Sequence, residues 1–144
     1  MKYLLDTNVL SELVKQRPDP RVTQWIDARS PLDLAISVLS LGEVEKGIAR
    51  LPHGPRRAAL TRWTRLDLPS QFLGRVLYID AAVAVAWGEL SGHAMVDARP
   101  LPVIDGLLLA TAQVHALTLV TRNVRDCAAR GVPVLDPWSG TAHG

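Results

Sequence analysis

Cysteine is nearly absent from this 144-residue chain. Cys127 stands alone, so no internal disulfide can hold the fold, and this usage points to the reducing cytoplasm. Histidine is sparse too: His53, His93, His115 and His143 are scattered, without the spacing of a zinc site. Long apolar runs are missing. Asp6 interrupts the N-terminal apolar segment before it reaches the ~7–15 residues of a signal-peptide core, so no such peptide is expected. The longest uncharged stretch, Gly106 to Thr121, contains Gln113 and His115 and falls short of the ~20 apolar residues of a membrane helix.

What is present suits one packed domain over residues 1–144. The chain is 48% hydrophobic, too apolar for a disordered segment. Net charge is only +2, but it is unevenly spread. From Lys46 to Arg75 the basic residues Lys46, Arg50, Arg56, Arg57, Arg62, Arg65 and Arg75 meet a single acid, Asp67. Such a run is either a solvated helix face or a surface for a polyanion or an acidic protein.

Strand and helix signals alternate from end to end. Tyr3-Leu4-Leu5 is apolar without alternation, which predicts a strand buried on both faces, followed by a helix near 8–15. "RVTQWIDAR" predicts a second helix and "LDLAIS" (32–37) a second strand. "SVLSLGEVEKGIARL" reads as a helix capped by Ser37 or Ser40, and Ser40 with Glu43 has capping-box spacing. An amphipathic helix is expected over 56–68, a strand over 75–79, and an alanine-rich helix capped by Asp80. "IDGLLLATAQVHA" is a helix, "LTLVT" (117–121) a buried strand and "VPVL" (132–135) a last one. The order predicts an α/β fold, a three-layer α/β/α sandwich with a central parallel sheet. In such sheets ligands bind beyond the carboxyl ends of the strands.

Carboxylates sit at those ends. Asp6 closes the first strand, Glu43 lies early in the helix after the second, and Asp105 enters the apolar helix "VIDGLLLATA". Taken singly, Asp6 and Asp105 could be helix caps and Glu43 part of a capping box. Brought together, like charges would repel, and a divalent cation removes the conflict. Oxygen donors without histidine or cysteine select Mg²⁺ or Mn²⁺ over zinc, a combination suited to phosphodiester hydrolysis. Thr121, Asn123 and Asp126 follow the strand at 117–121, and Thr7, Ser40 and Thr121 offer hydroxyls near the same junctions.

The blocks "LLDTNVLSEL", "ISVLSLGEVEKGI", "PVIDGLLLATAQVHALTLVTRNVRDC" and "VLDPW" together resemble the PIN-domain ribonucleases, in particular the VapC- and FitB-like toxins of toxin–antitoxin operons. The resemblance spans nearly the whole chain. It implies a Mg²⁺- or Mn²⁺-dependent endoribonuclease acting on RNA, with its acidic positions on Asp6, Glu43 and Asp105 and its small hydroxyl on Thr7. The fourth position falls on Asn123, an amide where the four-acid version has an acid; Asp126 is the alternative. It also implies a homodimer restrained by a cognate antitoxin. By analogy the helix bearing Arg56, Arg57, Arg62 and Arg65 lines either an RNA path or the antitoxin contact.

Two rival readings remain. A small α/β phosphatase would use Asp6 as nucleophile and expects a second acid two residues on, where Asn8 stands. An inactive PIN-type module that binds RNA or protein is kept open by Asn123. Cys127 has no histidine partner at a recognisable spacing. Trp25, Trp63 and Trp87 read as core, with Trp63 between Arg62 and Arg65 the one candidate for base stacking. Trp138 reads as packing for the C-terminal tail.

Overall fold

Strands such as Leu34-Ala35-Ile36 have no polar face to offer water, and the chain covers both of their faces. The computed structural model describes residues 1–144. Its strands are β1 (Tyr3–Leu5), β2 (Leu34–Ser37), β3 (Val76–Leu77), β4 (Thr118–Val120), β5 (Val134–Asp136) and β6 (Thr141–His143). They form one sheet in the order β3-β2-β1-β4-β5-β6. The helices are α1 (Thr7–Leu13), α2 (Pro20–Asp27), α3 (Val38–Ala49), α4 (Pro55–Arg62), α5 (Leu68–Gln71), α6 (Ala81–Val96), α7 (Val103–Val114) and α8 (Val124–Cys127).

Strand residues divide alternately between the two layers. Leu4, Ala35, Leu119 and Val134 pack with Val83, Ala86 and Leu90 of α6 and Leu108, Leu109 and Ala112 of α7. Leu5, Ile36 and Val120 pack with Val9 and Leu10 of α1, Val22 of α2, and Leu68 and Phe72 at α5. This is the expected α/β/α sandwich.

Register positions the site. Leu5 pairs with Ile36 on one side and Val120 on the other, all parallel, so β1, β2 and β4 end side by side. Strand order reverses about β1, the switch point at which crevices open in such sheets. The Asp6 N–H extends the ladder to the Val120 carbonyl at 2.9 Å, fixing the first residue beyond β1.

Some elements depart from expectation. The sheet is parallel except at one edge, where β6 pairs antiparallel with β5, formed by an exposed polar tail that carries no apolar strand signal. The helix expected over 56–68 forms but is not α throughout: α4 runs to Arg62, a π-turn spans Trp63–Asp67, and α5 continues from Leu68 without a break in the helical backbone. Pro69 has no N–H for the Arg65 carbonyl, and the Thr61 and Thr64 hydroxyls donate to the Arg57 and Leu60 carbonyls. Both effects weaken regular α-bonding there. α3 begins at Val38 with Ser37 as cap, accepting from the Leu39 N–H at 3.1 Å, so Ser40 lies inside the helix and the Ser40–Glu43 capping box does not form.

α7 ends in a left-handed residue that is not glycine. Ala116 has φ 55°, while its N–H and that of Leu117 bond back to Gln113 and Ala112 at 3.2 and 2.8 Å. A Cβ is disfavoured at that φ, so Ala116→Gly is expected to raise unfolding free energy by about 0.5–1 kcal/mol in urea titration. Unchanged or lower stability would contradict the assigned cap.

Candidate active site

Asp6 meets two demands at once. As N-cap of α1 it accepts from the Thr7 N–H at 2.6 Å through Oδ1. Its Oδ2 accepts from Thr121 Oγ1 at 2.7 Å and Asn8 Nδ2 at 3.3 Å. Cap and cleft roles therefore coexist in one carboxylate, 6% exposed. Burial pushes its pKa up to about 6 against the pull of the Thr121 and Thr7 hydrogen bonds, with the charges of Asp105 and Glu43 adding to the rise.

Glu43 projects from the second turn of α3. Thr7 Oγ1 donates to its Oε1 at 2.6 Å and lies 2.9 Å from Ser40 Oγ. Thr7 thus ties the α1 junction to the α3 carboxylate. Asp105 lies in the first turn of α7, whose N-cap is Pro102, so it is not the cap. Burial and the neighbouring Asp126 and Glu43 charges raise its pKa, partly offset by Asn123. The next residue, Gly106, has no Cβ; one built there would lie 3.0 Å from Trp87 Cδ1, so its bareness lets this turn approach α6 closely.

Asn123 bridges acids rather than joining them. Its Nδ2 donates to Asp105 Oδ2 at 2.9 Å and Asp126 Oδ2 at 3.0 Å. Asn123 lines the cleft and Asp126 does not.

Asp6, Glu43, Asp105 and Asn123 share one open cleft of about 610 Å³ with Thr7 and Asn8. No histidine or cysteine lines it. None of the ion pairs in the structure, Lys15–Glu12, Arg21–Asp19 and Arg65–Glu45, involves those carboxylates. The acidic side chains do not close into a cage of three or more ligands. The donor set is nevertheless that of a hydrated hard cation, since Mg²⁺ keeps several waters and needs only one or two direct carboxylates.

Other candidates fall elsewhere. Cys127 is buried, and burial with the surrounding carboxylates pushes its thiol up to about 12, leaving it inert. Asn8, where a phosphatase would carry its second acid, instead holds Asp6 and accepts from the Arg122 N–H at 3.3 Å. Arg57, Arg62 and Arg65 line a separate basic hollow with His53, and none of them reaches the cleft. Trp25 and Trp63 pack against the α1/α2/α5 core and Trp87 against the opposite one. Sequence reasoning missed Glu12, Lys15, Arg122 and Trp138 as cleft residues. An acid at the inward position three residues after Val9 was the one available signal for Glu12.

The chain matches the PIN domain family over residues 3–130 and belongs to it. Among its relatives, Toxin FitB of Neisseria gonorrhoeae is 33% identical over 135 residues, 94% of this chain and 97% of that one. The crystal structure of FitAcB from the same species aligns with a TM-score of 0.89 at 32% identity, covering 94% and 98% of the two chains. VapC ribonuclease Y4jK of Sinorhizobium fredii is also 33% identical over 135 residues, 94% of this chain and 96% of the relative. A toxin–antitoxin complex from Klebsiella pneumoniae aligns with a TM-score of 0.72 at 31% identity, covering 94% and 98%.

Replacing the Asn123 amide by a carboxylate would put three acids in contact with no donor between them. Asn123→Asp is expected to lower the stability of the metal-free protein by about 1–3 kcal/mol. Thermal melting in chelator, repeated with millimolar Mn²⁺, should show the loss and then its recovery; a variant melting at the wild-type temperature in chelator would refute the bridging role.

Proposed function

We propose that this PIN-domain protein is a Mg²⁺- or Mn²⁺-dependent endoribonuclease hydrolysing RNA phosphodiester bonds, the toxin component of a VapBC-type module. The reading is carried by the meeting of Asp6 and Glu43, each from a strand-to-helix junction, with Asp105 from the loop-to-helix start of α7, in one cleft without histidine or cysteine and with no lysine or arginine paired to any of the three. Relatives named as a VapC ribonuclease and as a toxin support it.

Asp6, Glu43 and Asp105 would hold the metal, in part through its waters as their spacing requires, with Asn123 assisting. When bound, the cation supplies Lewis acidity toward the phosphoryl group and lowers the pKa of water. The chain's own residues set the geometry. Thr7 fixes the rotamer of Glu43, Thr121 and Asn8 fix Asp6, and Asn123 fixes Asp105. A carboxylate oxygen left free of metal can orient the attacking water and receive its proton. Asn123 adds a dipole but no charge, so one metal ion is favoured over two.

A cognate antitoxin is the proposed partner, as in the toxin–antitoxin complex to which the chain is similar. We place the protein in the cytoplasm, in keeping with its single cysteine; no helix of the structure is long and apolar enough to cross a membrane. A homodimer, with residues 1–144 of each copy forming one PIN-like domain, is supported by an apolar surface of Trp87, Ala94, Met95, Leu101 and Val103, on which Met95 is 83% exposed.

Loss of an outer hydrogen-bond partner typically costs ~10–100-fold in metal affinity or activity. Thr7→Val should fall in that range in an RNA cleavage assay, whereas Asp6→Asn or Asp105→Asn should lose ~100-fold or more with the fold intact by circular dichroism. EDTA should stop cleavage, and Mn²⁺ or Mg²⁺ should restore it. Cleavage indifferent to chelator, or retained in Asp6→Asn, overturns the assignment. Folded protein that neither cleaves RNA nor binds Mn²⁺ calorimetrically would identify it as an inactive binding module.

A further inference from the structure

The cleft turns basic at Arg122. This residue follows Thr121 beyond β4, and its guanidinium lies over the Trp138 ring, 5.1 Å from the centroid. The guanidinium donates to no protein oxygen and takes part in no ion pair. Asp19, an acid close enough to feel its charge, is already engaged by Arg21 at 2.7 Å. Arg122 is therefore exposed, unpaired and on the wall that also carries Asp6 and Asp105.

Its platform is built in. Trp138 is 5% exposed, and its backbone N–H donates to Asp136 Oδ1 at 2.8 Å. Its indole N–H donates to Glu12 Oε1 at 3.3 Å, and Glu12, itself 5% exposed, also accepts from Lys15 Nζ at 3.2 Å. The ring is thus fixed at its edge and backbone while one face carries the guanidinium. A planar guanidinium stacked on an aromatic face keeps its N–H edge free, and that fork matches two phosphate oxygens.

We propose that Arg122 binds a phosphate of the RNA strand flanking the one cleaved, and that Trp138 is the positioning residue holding its guanidinium at the cleft edge. This rests on the ribonuclease reading above. A contact to a flanking phosphate strengthens substrate binding without touching the reacting atoms, so its loss appears in KM rather than kcat. It also releases a counterion, so its loss flattens the salt dependence of binding.

The test uses the full chain and a fluorescent single-stranded RNA. Affinity is measured in EDTA across a salt series, and kcat and KM with Mn²⁺. Arg122→Gln is expected to weaken binding up to about 10-fold at low salt and to reduce the slope of log K against log salt by about 0.7. Trp138→Phe, which keeps a ring under the guanidinium, should retain near wild-type KM. Trp138→Leu should reproduce part of the KM rise, yet add little to it in an Arg122→Gln background. Arg122 is exposed, so Arg122→Gln keeps the proposal falsifiable should Trp138→Leu fail to fold. Unchanged affinity, slope and KM in Arg122→Gln overturn the phosphate contact; full additivity of the two substitutions overturns the positioning role. A wild-type protein that does not cleave RNA with Mn²⁺ overturns the ribonuclease reading instead, and the binding series in EDTA still decides the Arg122 contact.

Discussion

Asp6, Glu43 and Asp105 are held by neutral donors rather than by cations, and the rest of the candidate site follows from that choice. Thr121 and Asn8 hold Asp6, Thr7 holds Glu43, and the Asn123 amide holds Asp105. Each donor fixes a rotamer without cancelling a charge. A lysine or arginine in any of those places would lower the local carboxylate pKa and relieve the repulsion. Instead the negative charge accumulates, and burial raises the pKa of both Asp6 and Asp105. The cost falls on the stability of the fold, the usual direction of compromise between stability and function.

The sheet makes this affordable in geometric terms. Parallel pairing in register places Asp6 and Thr121 at neighbouring strand ends, one residue beyond Leu5 and Val120. The Asp6 amide continues the ladder, so the carboxylate is carried on backbone that cannot drift. Glu43 and Asp105 are carried on α3 and α7, each started by its own cap or proline. Two apolar layers, with Leu4 and Leu119 buried on one side and Leu5 and Val120 on the other, keep those ends from separating.

Positive charge is sorted away from the carboxylates. Arg57 and Arg62 of α4 and Arg65 of the π-turn gather in their own hollow beside His53, with Arg65 engaged by Glu45 at 3.0 Å and Arg57 by the Leu51 carbonyl at 3.1 Å. At the cleft itself the basic groups are Lys15, tied to Glu12, and Arg122, stacked on Trp138. An acidic floor with a basic edge suits a polyanion that must be bound at several phosphates while only one of them approaches the carboxylates.

Much of this was legible in order along the chain. Unalternating strands, helices of 3.6 periodicity and acids near helix starts follow from local chemistry, and they sufficed for the α/β/α layers and for Asp6, Glu43 and Asp105 as candidates, although α7, which carries Asp105, follows α6 rather than a strand. What local chemistry could not supply was the partner of each group. Ser40 and Glu43 have capping-box spacing, yet the helix is capped by Ser37 and Glu43 turns to Thr7, thirty-six residues away in sequence. The fourth position was expected on Asn123, with Asp126 the alternative, and it took their places around Asp105 to show that Asn123 lines the cleft and Asp126 does not. Trp138 looked like tail packing because Glu12, its hydrogen-bond partner, lies 126 residues earlier. Sequence by itself determined which segments become strands and helices, since burial periodicity and capping act over a few residues. Only the tertiary structure decided which donor meets which acid, since a hydrogen bond depends on ångströms between side chains that the chain's linear order does not encode.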